Sequence, residues 1–394
     1  MIKLDVIVVG LGAVGSAATH HLARRGASVL GIDRFSPPHR RGSSHGETRI
    51  TRAAVGEGDV YSPLALRSHA LWRAMERETG QQLMVRCGCL TISGPDSTAT
   101  HGVGDFLANI RRAAAGHRIP HETFADGAAI RRRFPQFNAG DTEEGFLDQD
   151  GGYLFPERCI AAQLELAGRY GATLVRNRKV TAWQPSARGV TLRTAAGAVF
   201  HADHVLITAG AWLPRLLGSR VAGRLSVTRQ VLHWFEIRTN PERFAPDTCP
   251  VFIWELPCSS GARTDVYGFP LIGPREAGIK IAHEESGGIA DPDNVSRSVT
   301  ADDIAHMYRV YVEPFFPDLG PRSIRTEVCL YTRAPEARFV IDVHPHCERV
   351  LFASACSGHG FKHSAALGEA LAEILTVGRS SGVDLTPFGL RFLR

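Results

Sequence analysis

The N-terminal stretch places two short apolar runs on either side of a segment rich in small residues. Residues 6–9 are apolar at every position, which is typical of a strand buried on both faces. The small-residue segment predicts a helix ending near Gly26, and residues 28–32 predict the next strand. The pattern is that of a strand–helix–strand unit.

Three glycines, Gly10, Gly12 and Gly15, lie between the first strand and the helix at G-x-G-x-x-G spacing. The first permits a tight turn, the second lets backbone approach a pyrophosphate, and the third lets helix and strand pack closely. Asp33 follows the second strand, where an acidic side chain can bind ribose hydroxyls. The motif predicts a dinucleotide site, although a tight turn without a ligand is the alternative, and it specifies neither the dinucleotide nor the reaction.

Later patterns extend this unit. Residues 62–80 predict an amphipathic helix, and residues 83–92 predict a strand. Residues 189–194 and 198–201 predict a hairpin, and a separate apolar strand in residues 204–212 is expected to return to the nucleotide-binding sheet. The first half of the chain therefore predicts an α/β domain of Rossmann type.

The character changes between residues 225 and 281, where short strand-like runs are separated by turns. That pattern favours a largely antiparallel sheet, and hence an α+β substrate-binding layer. Strands at 324–331, 339–343 and 350–355 are expected to rejoin the first domain. The two domains are predicted to be interleaved, with residues 1–82, 150–220 and 323–394 binding the cofactor and residues 83–149 and 221–322 binding the substrate.

Composition narrows the class of protein. The 394 residues exceed one typical domain, and apolar and charged fractions of 44% and 22% are ordinary for a globular protein. No apolar run reaches transmembrane length, so no membrane partner is expected. Without a recognisable export signal, the eight cysteines are expected to be reduced thiols in the cytoplasm. The net charge of +5 is dispersed, which argues against nucleic-acid binding, and the cysteine spacing predicts no metal site.

Two sequence features suggest where chemistry occurs. Only four basic residues are lysines, namely Lys3, Lys179, Lys280 and Lys362, so a retained lysine can mark a need for a compact ammonium. One of them, Lys362, closes a glycine-rich turn that also contains His359 and precedes the last helix. The N–H groups of such a helix start stabilise an anion, for example reduced flavin. An ordinary glycine-rich helix entry with solvent-facing side chains is the alternative.

Several motifs together resemble the monomeric sarcosine oxidase and N-methyl-L-tryptophan oxidase family, within the D-amino-acid-oxidase-like FAD-dependent amine oxidases. The matching segments follow the family order along nearly the whole chain, and they are residues 10–15, 44–52, 56–58, 63–67, 209–212, 267–270, 329–332, 339–342 and 357–362.

The resemblance implies that FAD is bound, with Cys329 attached to its 8α-methyl group. From spacing alone, a buried strand cysteine is the simpler interpretation of Cys329. Arg49 is expected to lie against the flavin, and Lys280 beside flavin N5 to assist O2, whereas a strand-end lysine is the alternative there. The complete set of expected cofactor-binding residues is Gly10, Gly12, Ala13, Val14, Gly15, Asp33, Arg34, Ser43, His45, Arg49, Val180, Gly210, Trp212, Cys329, Gly358, His359, Gly360 and Lys362.

The resemblance also implies a substrate site. Arg52 and Lys362 are expected to bind the substrate carboxylate, because a guanidinium fork and a point charge together suit that anion. His359 is expected near the reacting amine, and with Lys280 and Arg49 it completes the predicted catalytic set. Tyr267 and Tyr331 are expected to line the pocket. The alternative is that both are aromatic residues of the hydrophobic core.

The chain departs from the family pattern at two positions near the expected pocket. Glu284 stands where relatives usually have a histidine four residues after the O2-site lysine, and the nearest histidine is His283. An Arg-x-x-Tyr pairing becomes Arg52 followed by Val55. Both changes concern the identity of the substrate rather than flavin chemistry.

The expected activity is FAD-dependent oxidation of an N-methyl or other secondary α-amino acid to an imine, with O2 reduced to H2O2, by a monomeric enzyme. Alternatives on the same scaffold are a cyclic imino acid (pipecolate-type) oxidase and a flavin amine dehydrogenase. A non-catalytic flavin-binding protein is an alternative of a different class. A nicotinamide dehydrogenase is disfavoured by the arginine-rich loop after Asp33 and by the flavin-facing helix turn.

Overall fold

The computed structural model describes residues 3–95, 103–257, 263–284 and 288–393. Within these ranges the helices are α1 Ala13–Arg24, α2 Ser62–Thr79, α3 Phe106–His117, α4 Gly127–Arg133, α5 Pro156–Arg169, α6 Ser219–Ala222, α7 Ala301–Met307 and α8 Ser364–Val377. The strands are β1 Leu4–Val9, β2 Val29–Ile32, β3 Arg49–Thr51, β4 Met84–Arg86, β5 Cys89–Ser93, β6 His121–Phe124, β7 Glu144–Asp148, β8 Gly152–Leu154, β9 Thr173–Val175, β10 Val180–Ser186, β11 Gly189–Thr194, β12 Val199–Ile207, β13 Ser226–Ile237, β14 Val251–Pro257, β15 Arg263–Gly268, β16 Ile279–His283, β17 Leu319–Arg333, β18 Val340–His344 and β19 Cys347–Ser354.

The first sheet is built around parallel strands in the order β9-β2-β1-β12-β19, as far as the described residues show. Its centre is β1, in which Val6 to Val9 are all buried. Val6 and Val8 share a cluster with helix side chains, and Ile7 and Val9 share another with side chains of the β10–β11 hairpin such as Val190. Helix α1 packs against α5 and α8 on the helical face. The predicted strand–helix–strand unit is therefore confirmed.

The second sheet has the order β17-β13-β16-β15-β14-β5-β7-β6, counted over the described residues. Its neighbours are antiparallel except for β14 and β5, and aromatic side chains such as Trp254 and Phe316 fill the core beside it. A small third sheet, β3-β8-β4, packs against the second, because Tyr153 of β8 shares a buried cluster with Val251 and Ile253 of β14. The predicted combination of an α/β sheet and a mainly antiparallel sheet is confirmed.

Three predicted strands have different bounds in the structure. Residues 83–92 form two strands rather than one, because Gly88 adopts a positive φ of 82° and sends β4 and β5 into different sheets. Conversely, the predicted strands at 198–201 and 204–212 merge into one strand, β12, which ends at Ile207, and Gly210–Leu216 forms a 3-10 helix. The first half of β12 pairs with β11 and its second half with β19, and β1 runs along the opposite edge.

The expectation that residues 324–331 rejoin the first sheet is wrong. They belong to β17, which pairs with β13 along most of its length, from Ser226 opposite Arg333 to Ile237 opposite Leu319. The physical reason is that residues 324–331 lie within a fifteen-residue strand whose backbone pairs with β13. Its C-terminal end meets the turn before α8, where Thr332 accepts a hydrogen bond of 2.9 Å from the N–H of Ser357. Of the three strands expected to rejoin the first domain, only those observed as β18 and β19 join the first sheet. The predicted domain boundary at residue 323 therefore falls inside β17.

In the part of the chain that the structure describes, no helix is both long and apolar enough to cross a membrane.

Helices α1 and α8 approach so closely that Gly368 touches the backbone of α1. A Cβ added to Gly368 would lie 2.6 Å from the backbone nitrogen of Ala18. We expect Gly368→Ala to lower the free energy of unfolding by about 1–3 kcal/mol through overpacking. Gly116→Ala in α3 is the matched control, because no atom lies within 4 Å of the added Cβ; it should raise stability by about 0.5–1 kcal/mol. Denaturant unfolding measures both, and equal effects would contradict the close approach.

Candidate active site

The glycine loop after β1 has the geometry of a phosphate-binding turn. Gly10 has a φ of 92°, and a Cβ there would lie 2.6 Å from the carbonyl oxygen of Thr208. A Cβ on Gly15 would clash with the carbonyl oxygen of Gly10. At Gly12 an added Cβ would meet nothing within 4 Å, and no side chain caps the start of α1. The N–H groups at this helix start are thus available to an anion.

Asp33 lies at the end of β2 beside this loop. Its Oδ2 atom accepts a hydrogen bond of 2.7 Å from the backbone N–H of Leu11, and Oδ1 accepts one of 2.7 Å from Phe35. These two bonds fix the carboxylate, and each oxygen keeps a further lone pair for a hydroxyl donor. The fixed carboxylate is therefore suited to ribose.

A cavity of about 370 Å³ runs from the glycine loop towards the second sheet. At the far end it is lined by Arg49, Tyr331, Cys356 and the turn before α8. The predicted cofactor-binding residues among its lining are Gly10, Gly12, Ala13, Val14, Asp33, Arg34, Ser43, Arg49, Val180, Gly210, Trp212, Gly358 and Gly360. Gly15 lies directly behind the loop, and the other members of the predicted set, namely His45, Cys329, His359 and Lys362, are close to the far end but outside the lining.

An acidic loop that sequence analysis missed closes the nucleotide end of the cavity. Asp293 accepts a hydrogen bond of 2.5 Å from Arg34 and one of 2.7 Å from the indole N–H of Trp212. Arg215 forms ion pairs with both Asp291 and Asp293. No local motif could reveal these contacts, since the partners are separated by 76 to 259 residues in the chain.

At the opposite end, a buried cation fixes the loop that precedes Arg49. The Nζ atom of Lys280 donates to the carbonyl oxygens of Gly46 and Thr48 at 2.7 and 2.9 Å, and to the Thr48 hydroxyl at 3.2 Å. Glu157 accepts a hydrogen bond of 2.8 Å from the N–H of Gly46. Burial lowers the pKa of Lys280 well below its usual range, and the nearby Arg49 lowers it further.

Arg49 and His45 both contact the sulfur of Cys329 in β17. The Sγ atom lies 3.2 Å from Arg49 Nη2 and 3.4 Å from His45 Nε2. Burial raises the pKa of this thiol, but Arg49 and His45 outweigh burial and bring the pKa to about 7. The cysteine is thus placed to react as a thiolate.

The two residues predicted to bind a carboxylate meet around one buried acid. Arg52 Nη2 donates to both carboxylate oxygens of Glu57 at 2.8 Å, and Lys362 Nζ lies 3.4 Å from Glu57 Oε1. Burial lowers the pKa of Lys362 to about 8, although Glu57 opposes that shift. All three side chains are at most 4% exposed, and they carry a net positive charge.

His359 belongs to the same cluster. Its Nδ1 atom lies 3.5 Å from Glu57 Oε1, and Nε2 lies 2.9 Å from the carbonyl oxygen of Ala337. The imidazole stacks on Phe339 at 4.7 Å and meets Tyr61 edge-on at 4.9 Å. The side chain is therefore packed beneath the turn, whereas the neighbouring Gly358 and Gly360 face the cavity.

Tyr267 and Tyr331 come together near the far end of the cavity. Their hydroxyl oxygens are 3.2 Å apart, and burial raises the pKa of both groups. Glu284 is adjacent, because an added Cβ on Gly358 would lie 3.0 Å from its Oε1 atom. Its Oε2 atom lies 3.5 Å from Arg333. The departure from the family pattern at Glu284 thus introduces a carboxylate beside the cavity.

These features fit FAD rather than a shorter ligand. One end of the cavity offers free helix N–H groups and a fixed acid, which suit a pyrophosphate and a ribose. The other end offers Arg49 and the start of the last helical segment, which can stabilise negative charge on a ring system. Such an elongated, two-ended site defines a dinucleotide-binding flavoprotein.

Comparison with known proteins agrees with this class. A family model described as FAD dependent oxidoreductase (DAO) matches residues 5–374, so the chain belongs to the DAO family of FAD-dependent oxidoreductases. The chain is 37% identical over 378 residues to a monomeric sarcosine oxidase of Streptomyces avermitilis, covering 96% of this chain and 94% of that protein. It is 33% identical over 394 residues to an N-methyl-L-tryptophan oxidase of Yersinia pestis, covering 99% of each.

Solved structures agree on the fold. NikD, an unusual amino acid oxidase essential for nikkomycin biosynthesis, has a TM-score of 0.81 at 24% identity, with 99% of this chain and 98% of that chain covered. Glycine oxidase from Geobacillus kaustophilus has a TM-score of 0.77 at 20% identity, with 99% of each chain covered.

Two substitutions in the glycine loop distinguish an effect on stability from an effect on cofactor binding. Gly12→Ala adds a methyl group that meets no protein atom but enters the cavity wall, so we expect a normal melting temperature of the flavin-free chain and a loss of bound FAD. Gly15→Ala should lower both the melting temperature and the amount of bound FAD, since its Cβ meets Gly10. The ratio of flavin to protein absorbance and the melting temperature measure the two effects. Full FAD content in Gly12→Ala would contradict the proposed position of the phosphates.

Proposed function

We propose that this protein oxidises an N-methyl or other secondary α-amino acid, of the sarcosine or N-methyltryptophan type, to an imine that hydrolyses, while O2 is reduced to H2O2. Bound FAD supplies the two-electron acceptor for this reaction. The relatives named as sarcosine oxidase and N-methyl-L-tryptophan oxidase, which match over nearly their whole length, support both the chemistry and the class of substrate.

The observation that carries the proposal is the buried cluster around Glu57. Two cations, Arg52 and Lys362, share a single protein carboxylate and leave a net positive charge in a place almost without solvent. Lys362 follows directly on Gly360 and Phe361, which line the cavity. A substrate carboxylate that entered here would be matched by a guanidinium and an ammonium, and it would be oriented before any bond is broken.

The remaining residues have distinct proposed roles. Arg49 lines the cavity and would stabilise negative charge that develops at its far end. Tyr267 and Tyr331 would exclude water and border the substrate, and His359 would orient the turn on which the cofactor rests. Lys280 would place a positive charge near the site of O2 reduction. No side chain is assigned as a general base.

Cofactor attachment and organisation complete the proposal. Cys329 would bind FAD covalently, as its contacts with Arg49 and His45 favour a thiolate. The first sheet would form the FAD-binding domain and the second the substrate-binding domain. We also propose that the protein acts as a monomer in the cytoplasm, which suits the free thiols of the seven cysteines that the structure describes.

Anaerobic bleaching of the flavin tests the activity. The purified yellow protein is mixed without O2 with sarcosine, N-methyl-L-tryptophan, L-pipecolate, glycine or dimethylamine, and absorbance near the flavin maximum is followed. We expect bleaching with a secondary amine that carries a carboxylate and none with dimethylamine, which lacks one. Air should then restore the colour and release H2O2.

The outcomes separate the alternatives. Bleaching by no amine would support a non-catalytic flavin protein, and bleaching by pipecolate alone would support a cyclic imino acid oxidase. Bleaching that air does not reverse within the turnover time would indicate a dehydrogenase. Each of these results would contradict the proposal as stated.

The proposed role of Lys280 predicts an effect on one half-reaction. Lys280→Met removes the positive charge, so reoxidation by O2 should slow by about 10²–10³-fold while anaerobic reduction changes far less. Stopped-flow absorbance measures the two rates separately. Lys280→Arg keeps a cation but changes the packing, so it tests whether the slower reoxidation has a merely structural cause. Lys179→Met is the matched control, because Lys179 lies at the nucleotide end of the same cavity. Equal losses in both half-reactions would exclude the assignment.

A further inference from the structure

Three side chains on and beside β17 form a hydrogen-bonded line that ends at Cys329. Glu327 Oε2 lies 2.9 Å from His45 Nδ1, and His45 Nε2 lies 3.4 Å from Cys329 Sγ. Glu327 and Cys329 are two residues apart in one strand, so their side chains share a face of the sheet. His45 comes from the loop before β3 and bridges them. The side chains of His45 and Glu327 are 1% and 9% exposed.

The direction of this line follows from the hydrogen-bonding capacity of each group. A carboxylate only accepts hydrogen bonds, so Nδ1 of His45 must carry the proton that faces Glu327. The Nε2 atom is then the one that can accept a proton from the thiol. The other carboxylate oxygen of Glu327 pairs with Arg325, which fixes the acid in position. The arrangement has the order nucleophile, base and orienting acid.

The charges around the line favour a proton on the histidine. Burial lowers the pKa of His45, but hydrogen bonds to Cys329 and Glu327 outweigh it and raise the pKa to about 9. Burial raises the pKa of Glu327, but His45 and Arg325 lower it to about 2. The charged or titratable groups that face Cys329 from the other packed elements are Arg49, Lys280, Tyr267 and Arg297.

We propose that Glu327 is a positioning residue for covalent attachment of the cofactor: it orients His45 so that Nε2 takes the proton from Cys329. This inference rests on the proposed attachment through Cys329. It assigns to Glu327 a part in maturation of the enzyme rather than in amine oxidation, and it explains why an acid occupies a buried position beside the reactive thiol.

The attachment step balances with O2 as the oxidant. The thiol proton moves to His45, a bond forms between Sγ and the 8α-carbon, and one C–H bond of the 8α-methyl group breaks, with its proton released to solvent. The two electrons released reduce the isoalloxazine ring. O2 then takes two electrons and two protons to give H2O2, which restores the oxidised ring in its attached form.

The test uses the purified full-length protein with its flavin. Total flavin is measured by absorbance before denaturation, and attached flavin by intact mass and by fluorescence of the chain in a denaturing gel. Wild type, Glu327→Gln, Glu327→Asp and Cys329→Ser are compared, and each is incubated in air at pH 6, 7, 8 and 9. Glu236→Gln is the matched control, because Glu236 pairs with Arg322 of the same strand but lies away from His45.

We expect Glu327→Gln to bind as much total flavin as wild type but to attach it about tenfold more slowly at pH 6, below the wild-type thiol pKa of about 7. A tenfold loss of thiolate is what a rise of one in the thiol pKa produces below that pKa. The defect should shrink as the pH rises towards 9, because the thiol then ionises without help. Glu327→Asp should restore part of the rate, and Glu236→Gln should behave as wild type.

Distinct outcomes separate this inference from the proposed attachment. Flavin that leaves the denatured wild-type chain completely would overturn the attachment through Cys329 and the inference with it. Attached flavin in wild type, absent in Cys329→Ser, together with a normal rate in Glu327→Gln, would overturn only the role of Glu327. A parallel loss of total and attached flavin in Glu327→Gln would also overturn it, because that result indicates a structural role.

Discussion

The candidate site depends on one buried cation, the ammonium of Lys280. Its hydrogen bonds to Gly46 and Thr48 connect the second sheet to the loop that supplies His45, Arg49 and, further on, Arg52. An ammonium buried without partners would cost several kcal/mol, so the backbone oxygens and the cation stabilise each other only when the loop adopts this path. The indole N–H of Trp234 adds a hydrogen bond of 3.0 Å to Glu47 in the same loop.

The same loop lies between two groups of charges with different tasks. On one side, Arg49 and His45 surround the thiol of Cys329 and lower its pKa. On the other side, Arg52 and Lys362 share Glu57 in the cluster suited to a carboxylate. A short stretch of chain thus separates two sets of positive charges. One set faces the Cys329 thiol, and the other is suited to a substrate carboxylate.

Sequence alone predicted the features that depend on local patterns. The glycine loop, Asp33 and α1 follow from rules that act within one strand–helix–strand unit. The resemblance to a family supplied Cys329, Lys280 and Arg52, which no local spacing singles out. What could not be predicted depends on distant pairing: the membership of β17 in the second sheet, Asp293 closing the nucleotide end, and Glu327 behind His45. Each of these contacts joins residues at least 78 positions apart in the chain.

The position of Cys329 has a mechanical consequence. The glycine loop lies in the first sheet, whereas Cys329 lies in β17 of the second, and each sheet has its own hydrophobic core. In the proposed attachment, a cofactor held at its pyrophosphate by one sheet and bonded through sulfur to the other would act as a cross-link between two cores. Any motion that separates the sheets would then have to break either the phosphate contacts or a covalent bond, so attachment would also make the two halves of the molecule unfold as one unit.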